Sequence, residues 1–88
     1  VATVYIPALL QNLTGGKASL TASGSTVRQL IEDLETACPG IRERLMQDER
    51  LRPNISVAID GEIGPMGLLE RVRPESEVHF VTAIQGGL

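Results

Sequence analysis

The chain has 88 residues, 42% apolar and 22% charged, and only Tyr5 and Phe80 as aromatic residues, which fits one globular domain with an aliphatic core. A net charge of −3 and so few rings to stack on bases argue against a nucleic-acid binder. The single Cys38 cannot close an internal disulfide, and no apolar run reaches the roughly 18–20 residues of a membrane span, so the expected setting is the reducing cytoplasm.

The opening VATVYIPALL alternates, with Ala2, Val4 and Ile6 to one side and Thr3 and Tyr5 to the other, as a half-buried strand does. Pro7 has no N–H to donate and ends regular pairing. TGGK, Thr14 to Lys17, reads as a turn, and Ala18, Leu20 and Ala22 resume the alternation. The two strands therefore form an antiparallel hairpin with an irregular return. From Thr26 the period changes, and Val27, Leu30, Ile31, Leu34 and the pair Ala37/Cys38 lie on one helical stripe. Ser25 or Thr26 can cap this helix, Thr26-x-x-Gln29 fits a capping box, and Pro39-Gly40 stops it. Ile41, Leu45 and Met46 predict another short helical turn across IRERLMQDE.

In the second half, Ile55, Val57 and Ile59 alternate with Ser56 and Ala58 as a strand, and Asp60-Gly61 predicts a tight turn at positive φ. PMGLLERVRPES reads as a connection with a helical turn holding Leu68 and Leu69. EVHFVTAI is the last strand, with Val78, Phe80 and Thr82 on one side and His79, Val81 and Ala83 on the other. Apolar residues on both of its faces indicate a central position. The order β-β-α-β-β gives an α+β domain with the helix across one face of the sheet. Residues 1–84 make the domain, and residues 85–88 a flexible diglycine tail.

Enzymatic signals are sparse. His79 has no partner at metal-ligand spacing and reads as an ordinary strand histidine. Cys38 sits at a helix C-terminus, where the dipole disfavours a thiolate, and reads as a small buried hydrophobe. TGGK lacks the spacing of a phosphate loop and joins two strands, so it is a hairpin turn. Glu32, Asp33 and Glu35 read as the solvated face of the helix, and the mixed charges of RERLMQDERLR likewise. What is left is the terminus, Gly86-Gly87 followed by Leu88.

VYIPALLQNLTGGK, TVRQLIEDLETACPGIRERL, the DG turn and the closing EVHFVTAIQGG, in this order and spacing, resemble the ubiquitin-like sulfur carriers of the MoaD/ThiS family. Within that family the likeness is strongest to the CysO type, which serves cysteine biosynthesis. The resemblance implies a β-grasp fold and places the function on Gly86 and Gly87. It implies that an E1-like adenylyltransferase/sulfurtransferase uses ATP to adenylylate the Gly87 carboxylate. Sulfur then displaces AMP to leave a thiocarboxylate, which hands sulfide to an acceptor such as a cysteine-synthase-like enzyme. The chain is then a co-substrate and not an enzyme, with no bound cofactor or metal, and Gly86 lets the tail thread a narrow channel. Tyr5, Val81 and Ile84 are the expected partner-facing residues, an apolar patch near the tail root.

This sequence departs from that pattern twice. Many relatives carry prolines where Thr82 and Ala83 stand here, and Leu88 follows the diglycine. Leu88 is a residue trimmed by a metalloprotease, a tag remnant, or the sign of an inactive binding module. The other functions weighed are the small subunit of molybdopterin synthase and a ubiquitin-like protein modifier. An iron–sulfur β-grasp protein is excluded, because one cysteine cannot supply four thiolates.

Overall fold

The structure is a computed structural model that describes residues 1–82. Its centre is a mixed five-stranded sheet in the order β2 (Ser19–Ala22), β1 (Ala2–Tyr5), β7 (Glu77–Thr82), β5 (Ile55–Ile59), β6 (Glu62–Ile63), crossed on one face by helix α1 (Val27–Ala37). Strand β1 (Ala2–Tyr5) turns Ala2 and Val4 inward, and both are buried, as the alternation requires. It pairs antiparallel with β2 (Ser19–Ala22) in the register Ala2↔Ala22 to Tyr5↔Ser19. The return between them is more ordered than expected, because Ala8–Thr14 coil into a 3₁₀ helix that buries Leu10 and Thr14. Thr14 closes this return by donating its hydroxyl to the Lys17 carbonyl at 2.7 Å.

Helix α1 (Val27–Ala37) buries Val27, Leu30, Ile31 and Leu34. The stripe continues through Cys38, which is buried, while Ala37 is exposed. Each such aliphatic side chain withdrawn from water is worth about 1.5–3 kcal/mol. Thr26 is the cap: its hydroxyl accepts from the Gln29 N–H at 3.3 Å. Gln29 reaches back one residue further than the usual box, and its Oε1 accepts from the Ser25 N–H at 2.8 Å. At the other end the Glu35 carboxylate accepts the N–H groups of Gly40 at 3.1 Å and Arg42 at 2.9 Å. Those two donors hold the Glu35 carboxyl below its ordinary range. They also fix the short α2 (Ile41–Leu45) against the end of α1, where Gly40 turns the chain at φ 101°.

One expectation fails here. The helical reading of IRERLMQDE holds only to Leu45; Met46–Gln47 (β3) and Arg50–Leu51 (β4) then form a small antiparallel hairpin. Its turn residues Asp48 and Glu49 both sit at positive φ, 54° and 64°, the geometry of a tight primed turn. Met46 is buried as predicted, but from a strand. The exposed run around it is also less free than a solvated face, since Arg28 pairs with Glu49 and Arg52 donates to the Glu43 carbonyl.

Strand β5 (Ile55–Ile59) is followed by the predicted turn, with Asp60 at φ 52° and Gly61 at φ 89°, and by the brief β6 (Glu62–Ile63). Asp60 has a second task. Its carboxylate accepts from the Glu77 N–H at 2.9 Å and the Ser76 hydroxyl at 3.0 Å, which lowers its pKa and pins the turn to the start of β7. Of the pair expected in the helical turn at Gly67–Leu69, Leu68 is buried and Leu69 is exposed. Strand β7 (Glu77–Thr82) is central, parallel to β1 and antiparallel to β5. Val78, Phe80, Val4 and Val57 point from the sheet into the core beneath α1. The opposite sheet face is left uncovered by any element among the described residues.

Candidate functional site: the outer sheet face

Because side chains alternate along a strand, burying Val4, Val57, Val78 and Phe80 commits their neighbours to the outer face. On β1 these are Thr3 and Tyr5; on β7 they are Glu77, His79 and Val81; on β5 they are Ser56 and Ala58. The register aligns them across the sheet. Tyr5 lies opposite His79, His79 opposite Ala58, and Ala58 opposite Ile63. Tyr5 and His79 stack with ring centroids 4.3 Å apart and an angle of 6° between planes. Val81, two residues on, is 46% exposed and Ile63 is 60% exposed. The result is a band of aromatic and aliphatic surface across the face, with Val81 next to Thr82, the last of the described residues.

The structure therefore brings together Tyr5 and Val81 of the expected patch, on one face and beside one another's strands. Ile84, Gly86, Gly87 and Leu88 lie outside the described residues, as does the expected boundary between residues 84 and 85. His79 and Ile63 were not foreseen as members. The signal was present: the Asp60-Gly61 turn fixes the β5–β6 register, and counting by twos from Ala58 places Ile63 on the outer face.

Other singled-out residues have structural work. Cys38 is buried, and its N–H closes the helix on the Leu34 carbonyl at 2.7 Å. Glu32 pairs with Arg42 at 3.2 Å, and Asp33 accepts the Ser23 N–H at 2.9 Å, so these carboxylates are exposed but tie α1 to its neighbours. Gly15 and Gly16 turn at φ 70° and 90° toward β2, as a hairpin return. Among the described residues no group of three His, Cys, Asp or Glu side chains is placed to hold a metal ion. Nor, among them, is any helix long and apolar enough to cross a membrane.

The sequence model of the ThiS family matches residues 4–87, a span that includes the diglycine. This chain belongs to the ThiS family. It is 34% identical over 90 residues to the sulfur carrier protein CysO of Mycobacterium tuberculosis, covering 97% of both chains. The crystal structure of the Amycolatopsis orientalis BexX/CysO complex contains a chain that superposes with a TM-score of 0.93 at 35% identity, covering 99% of this chain and 100% of that one. The crystal structure of M. tuberculosis CysO gives 0.88 at 32% identity, over 96% of this chain and 100% of that one. The ubiquitin-like β-grasp fold and the CysO-type likeness expected from the sequence thus both hold.

Proposed function

We propose that this chain is a sulfur carrier. The observation that carries the reading is its likeness to CysO over 97% of both chains, together with a family match that runs through Gly87. In this reading an E1-like partner joins the Gly87 carboxylate to the α-phosphate of ATP and releases pyrophosphate. A sulfide nucleophile then attacks the acyl carbon, AMP leaves, and a thiocarboxylate remains. That terminus delivers sulfide to an acceptor, such as a cysteine-synthase-like enzyme, on the way to cysteine or another sulfur-containing metabolite.

The division of labour follows from chemistry. A carboxylate is a poor acyl donor and an acyl-adenylate a good one, so the partner supplies ATP and catalysis while the carrier supplies the terminus. Side-chain-free Gly86 and Gly87 pass where a Cβ would clash. Tyr5, His79, Val81 and Ile63 form the docking face for the partner, with Ile84 at the tail root. The carboxylate that reacts is that of Gly87; where Leu88 belongs to the natural chain, hydrolysis of the Gly87–Leu88 peptide bond, as by a metalloprotease, frees it.

The test is pyrophosphate release by an E1-like enzyme from the same host, using the chain ending at Gly87. ATP-dependent release that disappears in Gly87→Val supports the reading. No release from either protein, with binding intact, contradicts it.

A further inference from the structure

The molecule carries a second exposed apolar surface, beside the outer sheet face. A groove of about 600 Å³ runs between the β3–β4 hairpin and the segment from Ile63 to Leu69. One wall is apolar and open, with Ile63, Met66 and Leu69 exposed at 60%, 60% and 67%. The facing wall carries Arg28, Arg50 and Arg52. Three of the eight basic residues of a chain with net charge −3 thus line one groove.

The charge on that wall is cancelled only at Arg28. Its one carboxylate, Glu49, is committed to Arg28. The Arg52 guanidinium is held by the Glu43 carbonyl and the Gln47 side chain. Hydrogen bonds to neutral oxygens orient it without neutralising it. The Arg50 guanidinium makes no hydrogen bond or ion pair among the described residues. A second copy docked groove to groove about a two-fold axis would bring arginines against arginines or against an aliphatic wall. A partner with carboxylates beside apolar side chains satisfies both walls at once, and such charge matching also steers encounter.

The groove is also continuous with the docking face. Ser56 and Ile63 line it, and the same two residues sit opposite Val81 and Ala58 on the outer face. A protein seated on that face reaches the groove by crossing the β5–β6 edge.

We propose that this groove binds a segment of a partner protein that presents apolar anchors flanked by Asp or Glu. The proposal rests on the carrier reading, in which a partner must hold the folded body while the terminus reacts. It gives that partner a second hold, set by charge, in addition to the apolar face.

The experiment titrates the ¹⁵N-labelled full chain with two synthetic peptides that share their Leu and Phe residues. One carries Asp and Glu around them, the other Lys. The acidic peptide is expected to shift the amides of Leu51, Ser56, Gly67 and Leu69, more weakly as salt rises. Arg50→Glu is expected to weaken it roughly fivefold or more, and Leu69→Asp to weaken it as well. Both positions are exposed, so spectra that otherwise match the parent confirm folding. Equal binding of the two peptides overturns the proposal, as do shifts confined to the surroundings of Tyr5 and His79, or no shifts. Concentration-dependent shifts at the groove without peptide overturn it in favour of a second copy. In the pyrophosphate assay Arg50→Glu should raise the KM for the carrier and leave kcat unchanged, whereas Gly87→Val abolishes turnover. The peptide titration needs no activation of the terminus, so its failure and that of the carrier reading are read separately.

Discussion

The two faces of strand β7 are built from adjacent residues and yet answer to different demands. Toward α1, Val78 and Phe80 are buried with Val4, Val57, Leu30 and Leu34, and every one of these contacts holds the fold together. Toward the outside, His79 and Val81 lie beside Tyr5 and Ile63 on a surface that no described element covers. The inner face is needed for a folded domain; the outer one is surplus to it, and surplus apolar surface on a small domain points to a partner. Separating stability from docking by mutation is the way to test that contrast.

The largest effect belongs to the inner face. Phe80→Ala should cost about 3–5 kcal/mol, a large part of the roughly 4–13 kcal/mol that a domain of this length has to spare. Urea unfolding measures it. Val81→Ala, on the other face of the same strand, should stay within about 0.5 kcal/mol, while in the carrier reading Val81→Asp should weaken binding of the proposed E1-like partner in calorimetry. Equal destabilisation by Phe80→Ala and Val81→Ala would erase the distinction between the faces.

An intermediate effect separates the two tight turns. Gly61 stands at φ 89° with open space around its missing Cβ, so Gly61→Val should cost about 1–2 kcal/mol from backbone strain alone. The turn at Asp48-Glu49 already bears that cost with side chains in place.

The smallest effect is electrostatic. Glu35 and Asp60 have carboxyls held low by backbone N–H donors and, for Asp60, by the Ser76 hydroxyl as well. A depressed folded-state pKa means that the unfolded chain binds more protons, so this stability is present above the ordinary carboxylate range and is lost as pH falls through the lowered folded values. Unfolding midpoints measured from neutral pH into the acid range should therefore fall on the acid side. Asp60→Asn should flatten that fall; an unchanged slope would mean that the Asp60 contacts do not contribute.

The turns also explain what could be read from the sequence. Asp60-Gly61 was legible because glycine declares a positive φ in advance, and the register that followed from it set the faces of β5 and β6. Asp48-Glu49 was hidden because neither residue type demands that conformation, and the apolar spacing of Ile41, Leu45 and Met46 imitates a helix. The α1 stripe was plain in the 3.6-residue period, while its cap was narrowed only to Ser25 or Thr26 until the structure placed Thr26 there. The capping geometry departed in detail, since Gln29 reaches Ser25. Of the site, Tyr5 and Val81 could be placed from alternation alone. His79 shares the face of Val81 by the same alternation, but its stacking on Tyr5 was not legible, because only the parallel β1–β7 pairing puts the two rings together. The arginine-lined groove joins Arg28 to Arg50 and Arg52 across the fold, a neighbourhood that no local pattern announces.

The most direct measurement is the intact mass of the protein purified from its native host, beside a Gly87→Val variant. The carrier account predicts a species that ends at Gly87 and is heavier by one oxygen-to-sulfur exchange, absent from the variant. A chain that keeps Leu88 and an ordinary carboxylate even under high sulfur demand would contradict it.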